Sequence, residues 1–352
     1  MSSERMLAHF NEQARFCTAY GSPFTGQLIE RFAADLESDG PVAGLVRAWP
    51  GNPRADVVAL RLAGALHAAA LTDRDAALAA VYPARTGNWR MEEVWPLARA
   101  FLEREPAWVE QFLQFAPQTN ETRRTIALLA GFLSFAKHWN GPIDMLEIGA
   151  SAGLNLYWDR FAYRTSSWRW GSGGPVVIDT DWQGPAPPAD ASLDVRHRAA
   201  CDINPLDIRE ESERLRLKSY IWPDQADRLA RFDGAVALAL ANDVRVERAD
   251  AGEWIARKLS ARAPDAATIV YHSVFLQYPP RQTRTAIIGA IQGAGAAAAA
   301  DAPLAWVRLE PEALTENAPN ALRFVIDLTT WPGSERRILG YTDGHVRAVH
   351  AA

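Results

Sequence analysis

Apolar residues recur at helical spacing through the amino-terminal part of the chain, which has few of the short apolar runs that form strands. One helical stretch follows Asn52-Pro53, a pair typical of a helix start because Asn can cap free amides and Pro fits the first turn. Further helical stretches cover 91–115 and 126–135. The pattern predicts an all-helical domain over residues 1–138.

After Gly141-Pro142, short apolar runs alternate with helical stretches, which predicts βαβ units and a parallel sheet. Strands are predicted at 143–148, 196–201, 244–249, 268–275 and 304–309, and helices near 205–217, 223–241, 251–260 and 281–292. The last two apolar runs, 323–330 and 337–342, flank a tight turn and predict an antiparallel pair. We expect residues 139–352 to form an α/β domain with a mostly parallel sheet.

The segment Leu146–Leu156 reads as a strand, a turn of small residues and a helix start. Small residues let a ligand approach the backbone, and a helix N-terminus offers free amides. A dinucleotide-binding turn requires G-x-G-x-x-G, but counting from Gly149 gives Ser151 and Leu154 at the second and third glycine positions. The turn therefore lacks the glycines of a dinucleotide-binding site. No Gly-Lys-Ser/Thr follows it, so it is not a P-loop either.

The turn resembles the E-x-G-x-[GS]-x-G turn of S-adenosylmethionine-dependent methyltransferases of the Rossmann-like class. In that family the acidic residue before the first glycine helps position the methionine amino group, and Glu147 stands at this place. A carboxylate suits a ligand that carries sulfonium and ammonium charges. The resemblance implies S-adenosylmethionine as the cofactor, held in part by Glu147, Gly149, Ala150, Ser151, Gly153 and Asn155.

An acidic residue that ends the second strand binds the ribose hydroxyls in these methyltransferases. Asp202 follows a predicted strand and precedes Asn204-Pro205, which indicates a helix start, so we favour it for this role. Asp179 competes at a shorter spacing from Glu147, and a Gly/Pro loop follows it. The long separation between Glu147 and Asp202 implies an insertion near 163–195.

Two further strand ends fit the same resemblance. Asp250 and Ala251 follow the third strand, where an Asp contacts the adenine amino group in the family; Asp250 could equally cap the next helix. His272 and Ser273 end the fourth strand, and the carboxyl end of such a strand faces the ligand crevice of open α/β sheets. A buried histidine with ordinary core contacts is the alternative for His272.

A closer resemblance extends over nearly the whole chain. The segments 118–121, 146–156 and 202–207, together with Gly21-Ser22-Pro23 and His272-Ser273, are similar to a bacterial family of unknown function, domain of unknown function 2332. The resemblance implies a Rossmann-like methyltransferase sheet, mostly parallel with an antiparallel last strand, preceded by a helical domain. It implies no particular substrate.

Methyl transfer requires that the acceptor is held in line and, for O or N acceptors, loses a proton. His272 is the first candidate for the base because imidazole titrates near neutrality. Tyr278 could orient the acceptor, and Glu121 could act from a lid over the site. The remaining candidates for substrate or lid contacts are Gln118, Asn120, Ser273 and Gln277.

Composition narrows the partners. Lys and Arg number 37 and Asp and Glu 42, a formal net charge of −5, so the chain lacks a global field that would attract nucleic acid or anionic lipid.

Cys17 and Cys201 form no C-x-x-C pair, so we expect no metal and a reducing compartment. No run reaches the roughly 18 apolar residues of a membrane span. We expect a cytoplasmic protein that acts on a small molecule; the oligomeric state stays open.

Two other functions remain compatible with the sequence. A methyltransferase-like fold could serve as a non-catalytic binding or interaction module. Alternatively, Gly149–Gly153 spells G-x-S-x-G, the nucleophile-elbow pattern of α/β-hydrolases, with Ser151 as nucleophile. Asp301 or Asp327 with His345 would then complete a triad, although the elbow normally follows several strands and this turn follows the first.

Overall fold

The structure, a computed structural model, describes residues 2–171, 173–316, 318, 321 and 323–352. Contacts divide the chain into two compact units. The first unit extends to Thr119 and takes in 209–230; the second combines 120–208 with 231–352.

The described residues form fourteen α-helices. They are α1 (Ser2–Ala19), α2 (Pro23–Glu37), α3 (Pro41–Val46), α4 (Val58–Leu71), α5 (Ala76–Val81), α6 (Pro83–Thr86), α7 (Met91–Arg104), α8 (Pro106–Leu113), α9 (Thr125–Ala136), α10 (Glu211–Ser219), α11 (Ala226–Ala241), α12 (Ala251–Ser260), α13 (Arg281–Ala296) and α14 (Glu312–Thr315). In this part of the chain, no helix is both long enough and apolar enough to cross a membrane.

The described residues also form twelve strands. They are β1 (Pro142–Ile148), β2 (Ala162–Arg164), β3 (Arg169–Trp170), β4 (Val177–Asp179), β5 (Asp181–Gln183), β6 (Asp194–Asp202), β7 (Glu247–Arg248), β8 (Ala267–Ser273), β9 (Leu304–Pro311), β10 (Phe324–Trp331), β11 (Glu335–Thr342) and β12 (Ala348–Ala351). Nine of them form one sheet in the order β5-β12-β11-β10-β9-β8-β1-β6-β7, and three form a small sheet, β3-β2-β4.

The helical unit has its own apolar core, and the motif Gly21-Ser22-Pro23 helps to order it. Pro23 opens α2, and the Ser22 hydroxyl caps that helix by accepting the Thr25 amide. Asp224, from the returning segment 209–230, accepts the Ser22 hydroxyl at 2.5 Å and the Phe24 amide at 3.0 Å. These bonds fix the returning segment to the start of α2.

Two helix boundaries in this unit differ from the sequence-based prediction. Asn52 accepts the amides of Arg54 and Ala55 in a turn, and the helix itself begins at Val58. The predicted helix 91–115 is two helices, because Pro106 opens α8 after a break at Glu105.

The division into units also differs from the predicted boundary at 138/139. Helix α9, assigned from sequence to the helical domain, belongs to the second unit. Nearly all of its residues are buried, and it packs on β8, β9 and β10. Conversely, α10 lies in the first unit and packs on α4. Helical periodicity alone does not reveal which core a helix joins.

The large sheet is mostly parallel. Parallel pairs join β7, β6, β1, β8 and β9, while β10 and β11 pair antiparallel, as predicted for the end of the chain. β12 adds a further antiparallel pair, and β5 from the predicted insertion extends the sheet beyond it. The strand predicted at 244–249 is only two residues long, and the helix predicted at 205–217 begins at Glu211.

Candidate functional site

The chain reverses its direction of travel across the sheet between β1 and β8. After β1 and the segment that forms β2 to β5, the chain adds β6 and β7 on one side of β1, then crosses to β8 on the other side of β1 and continues to β9. At such a reversal, ligands bind outside the carboxyl ends of the strands. Glu147 lies at the carboxyl end of β1 and pairs in register with Tyr271 of β8.

Glu147 is almost completely buried, with 3% of its surface exposed. The hydroxyl of Tyr271 donates a hydrogen bond to its Oε2 at 3.2 Å. Burial raises the pKa of Glu147 to about 8; the hydrogen bond from Tyr271 lowers it, and the nearby charge of Asp202 raises it further. The site therefore contains a carboxyl group that a nearby cation would ionise.

The turn after β1 carries three residues in the left-handed region, Gly149 (φ 71°), Ser151 (φ 55°) and Gly153 (φ 72°). Three of its amides are already engaged within the protein. Those of Gly149 and Ala150 donate to the carbonyl of Cys201, and that of Ser151 donates to Asp202 at 2.8 Å. These bonded amides favour a ligand without a phosphate at this turn.

Both glycines lie against side chains. A Cβ at Gly149 would come within 2.2 Å of the ring of Phe275, and one at Gly153 within 2.7 Å of Val244. Glycine is therefore required here for close packing of the protein itself, as well as for the positive φ angles.

Two buried polar atoms in this segment have no hydrogen-bond partner within the described part of the chain: Ser151 Oγ and Asn155 Oδ1. Such groups are costly unless something satisfies them. Asn120 contacts the same segment, because its Oδ1 accepts the amide of Leu154 at 2.9 Å. Together with Glu147, these oxygens offer acceptors to a ligand that carries a cation and hydrogen-bond donors.

Asp202 and Asp179, the two alternatives for a ribose contact, lie in different sheets. Asp202 ends β6, next to β1, and accepts the amides of Ser151 and Asn204. Asp179 ends β4 in the small sheet and is exposed. The helix expected at Asn204 is absent: Asn204 lies in a turn closed by Asp202.

Asp250 is the N-cap of α12, which begins at Ala251. Its Oδ1 accepts the amides of Gly252 and Glu253, and its Oδ2 accepts the Thr283 hydroxyl at 3.3 Å. The capping role is thus present, and a contact to adenine stays a prediction.

His272 is completely buried at the end of β8. Its Nε2 accepts the indole N–H of Trp306 at 3.1 Å, so the proton lies on Nδ1, which donates to Glu310 at 2.6 Å. Both ring nitrogens are engaged, so a substrate proton could reach His272 only if one of these bonds broke.

The remaining predicted residues lie in different surroundings. Tyr278 is 74% exposed, Gln277 is exposed and Ser273 is half-buried, all at or after the end of β8. Glu121 is buried, accepts the amide of Arg123, and lies 4.0 Å from the side chains of Arg231 and His345. Gln118 belongs to the first unit.

The hydrolase triad is not assembled as the sequence pattern suggested. Asp327 forms two hydrogen bonds with Arg308 and also pairs with Arg336. His345 lies near Glu121, and no described residue hydrogen-bonds to Ser151 Oγ. Among these residues, then, no base contacts the Ser151 hydroxyl.

Sequence reasoning missed three residues of this region: Tyr271, Phe275 and Glu310. Tyr271 could have been found, because parallel pairing of the predicted strands places it beside Glu147. The other two carry no local signal. Glu310 reads as an exposed strand end, and Phe275 reads as an ordinary apolar residue.

A family model described as "Uncharacterized protein conserved in bacteria (DUF2332)" matches residues 8–350. The match spans nearly the whole chain, so the protein belongs to this family. No curated protein matches it.

Proposed function

We propose that this protein binds S-adenosylmethionine and transfers its methyl group to a small molecule. The observation that carries the proposal is the buried Glu147 at the reversal of strand order. The turn that follows it is left-handed, and its segment contains two buried oxygens to which no described residue hydrogen-bonds. The five parallel strands have the order of doubly wound sheets, which bind ligands at this point.

S-adenosylmethionine supplies an activated methyl group when bound. Glu147 would hold the ammonium group of the methionine part, since a carboxyl of raised pKa ionises beside a cation. Ser151 and Asn155 would accept hydrogen bonds from the ligand, and Asp202 would accept them from the ribose. Ser273, Gln277 and Tyr278 lie at the end of β8 and on the loop after it, and would contact the acceptor.

The test is ligand-induced stabilisation of the purified protein. At pH 8, S-adenosylhomocysteine should raise the melting temperature by a few degrees, because a ligand that binds only the folded state stabilises it, and NAD should not. Glu147→Gln should abolish the shift, since the variant cannot carry the charge that holds the ammonium group. The exposed Glu253→Gln serves as a matched control and should respond as the wild type does.

The proposal would be wrong if millimolar S-adenosylhomocysteine left the wild-type melting temperature unchanged. Equal stabilisation of the wild type and Glu147→Gln would also contradict it, because the ligand would then bind elsewhere. Labelling of Ser151 by a fluorophosphonate would favour hydrolysis instead.

A further inference from the structure

The loop after β8 is held by three consecutive backbone amides. The amide of Val274 donates to the carbonyl of Leu309 at 2.7 Å, and those of Phe275 and Leu276 donate to the carboxylate of Glu310 at 2.8 and 3.2 Å. Val274 has a φ of 53°, which a β-branched residue rarely adopts. Such strain persists only where the surroundings enforce it, and it concentrates at functional sites.

The carboxylate that holds this loop is completely buried. An isolated carboxylate is costly to bury, but Glu310 accepts three hydrogen bonds, two from the loop and one from His272. Trp306 in turn fixes the orientation of the His272 ring. Three buried side chains from β8 and β9 thus fix a short segment of backbone.

The side chain that this arrangement places is Phe275. Its ring lies against Gly149, so closely that a Cβ there would be 2.2 Å from the ring. The ring is only half-buried, and it lies 5.9 Å from the His272 ring, centroid to centroid. Phe275 therefore covers one side of the turn and keeps part of its surface accessible.

We propose that Phe275 forms an apolar wall of the ligand site, and that His272 and Glu310 are positioning residues that hold this wall against the turn. This inference rests on the proposed function. It assigns to His272 a role other than the general base, since its Nδ1–H holds Glu310 and its Nε2 is occupied by Trp306. The ligand would contact Phe275 on one side and Glu147 on another.

The first test is the affinity for S-adenosylhomocysteine, measured by calorimetry at pH 8. Phe275→Ala should weaken binding about tenfold, the usual cost of removing a well-packed aromatic contact. Tyr341→Ala is a matched control: Tyr341 is also half-buried, but it lies on β11, well away from β1 in the sheet. This control should bind as the wild type does. If Phe275→Ala bound S-adenosylhomocysteine with the affinity of the wild type, Phe275 would not form a wall of the ligand site.

The second test separates positioning from proton transfer. His272→Asn keeps an N–H donor close to the position of Nδ1 but cannot act as a base, whereas His272→Ala loses the donor. S-adenosylhomocysteine has no methyl group to transfer, so its binding needs no base. Positioning predicts that His272→Ala weakens binding about tenfold and that His272→Asn restores most of it.

The outcomes distinguish this inference from the proposed function. If the wild type binds and all three variants bind equally well, the inference is wrong and the proposed function stands. If the wild type does not bind, the proposed function itself fails. If His272→Ala does not fold, the affinity of Phe275→Ala still tests the inference. The half-exposed side chain of Phe275 makes no hydrogen bond that folding requires.

Discussion

Tyr271 and Glu147, partners in register on the central strands β8 and β1, share a hydrogen bond at 3.2 Å in a fully buried setting. Burial raises the pKa of Tyr271 well above its usual range, so it remains a donor at all ordinary pH values. The carboxyl of Glu147, in contrast, changes its charge near pH 8. The pair places a titratable group where the strand order reverses.

The raised pKa of Glu147 makes stability depend on pH. Between the ordinary value of 4.5 and about 8, the folded protein binds more protons than the unfolded chain, so stability falls as the pH rises through this window. We expect the wild type to lose about 3 kcal/mol relative to Glu147→Gln between pH 5 and pH 8. Urea unfolding at several pH values measures this difference. If the free energies of unfolding of the wild type and Glu147→Gln changed with pH in the same way, the prediction would be wrong.

In the helical unit, His67 makes stability depend on pH in the opposite direction. Burial lowers its pKa to about 4, although its Nδ1 bonds to the Ser219 carbonyl at 3.1 Å. The unfolded chain therefore binds more protons between about pH 4 and 6.5, and stability falls as the pH drops through this range. We expect a loss of about 3 kcal/mol. Whatever its absolute stability, His67→Asn should show a flatter profile in urea unfolding between pH 4 and 6.5; an equally steep profile would exclude His67 as the cause.

The buried pair of Arg308 and Asp327 should be costly to break. Its two hydrogen bonds are 2.7 and 2.6 Å long, and Asp327 is completely buried. Asp327→Ala leaves the charge of Arg308 without this partner and should reduce the free energy of unfolding by about 3–5 kcal/mol. Glu12→Ala breaks the exposed pair with Arg54 and should cost less than about 1 kcal/mol. Denaturant unfolding measures both free energies. If the two variants lost similar free energies of unfolding, the expected difference between the buried and the exposed pair would be wrong.

Replacing Gly149 by Ala should destabilise the protein, whereas replacing Gly289 by Ala should stabilise it. At Gly149 a methyl group meets Phe275, and φ is positive, so the substitution should destabilise by at least about 2 kcal/mol. Gly289 lies within α13, and outside its own helix backbone no described atom would lie within 4 Å of an added Cβ, so Ala should stabilise by about 0.5–1 kcal/mol. Thermal unfolding measures both. Combining Gly149→Ala with Phe275→Ala should recover part of the loss; full additivity would show that the two residues are not coupled.

Much of the second unit follows from local patterns. The runs that predict β1, β8, β9 and the pair β10–β11 are strands, because buried strands need continuous apolar runs whatever their neighbours are. The sequence also indicated that Glu147 and Asp202 end parallel strands, and the structure places their strands, β1 and β6, side by side.

By itself, then, the sequence determined the helical and α/β sections, the parallel strands and the acidic residues that end them. Only the tertiary structure decided that α9 joins the sheet and that 209–230 returns to the helical unit. It also decided that Phe275 covers Gly149 and that Glu310 holds His272. The reason is physical: periodicity reports which face of an element is buried, whereas burial partners and shared hydrogen bonds depend on segments far apart in the chain that meet only on folding.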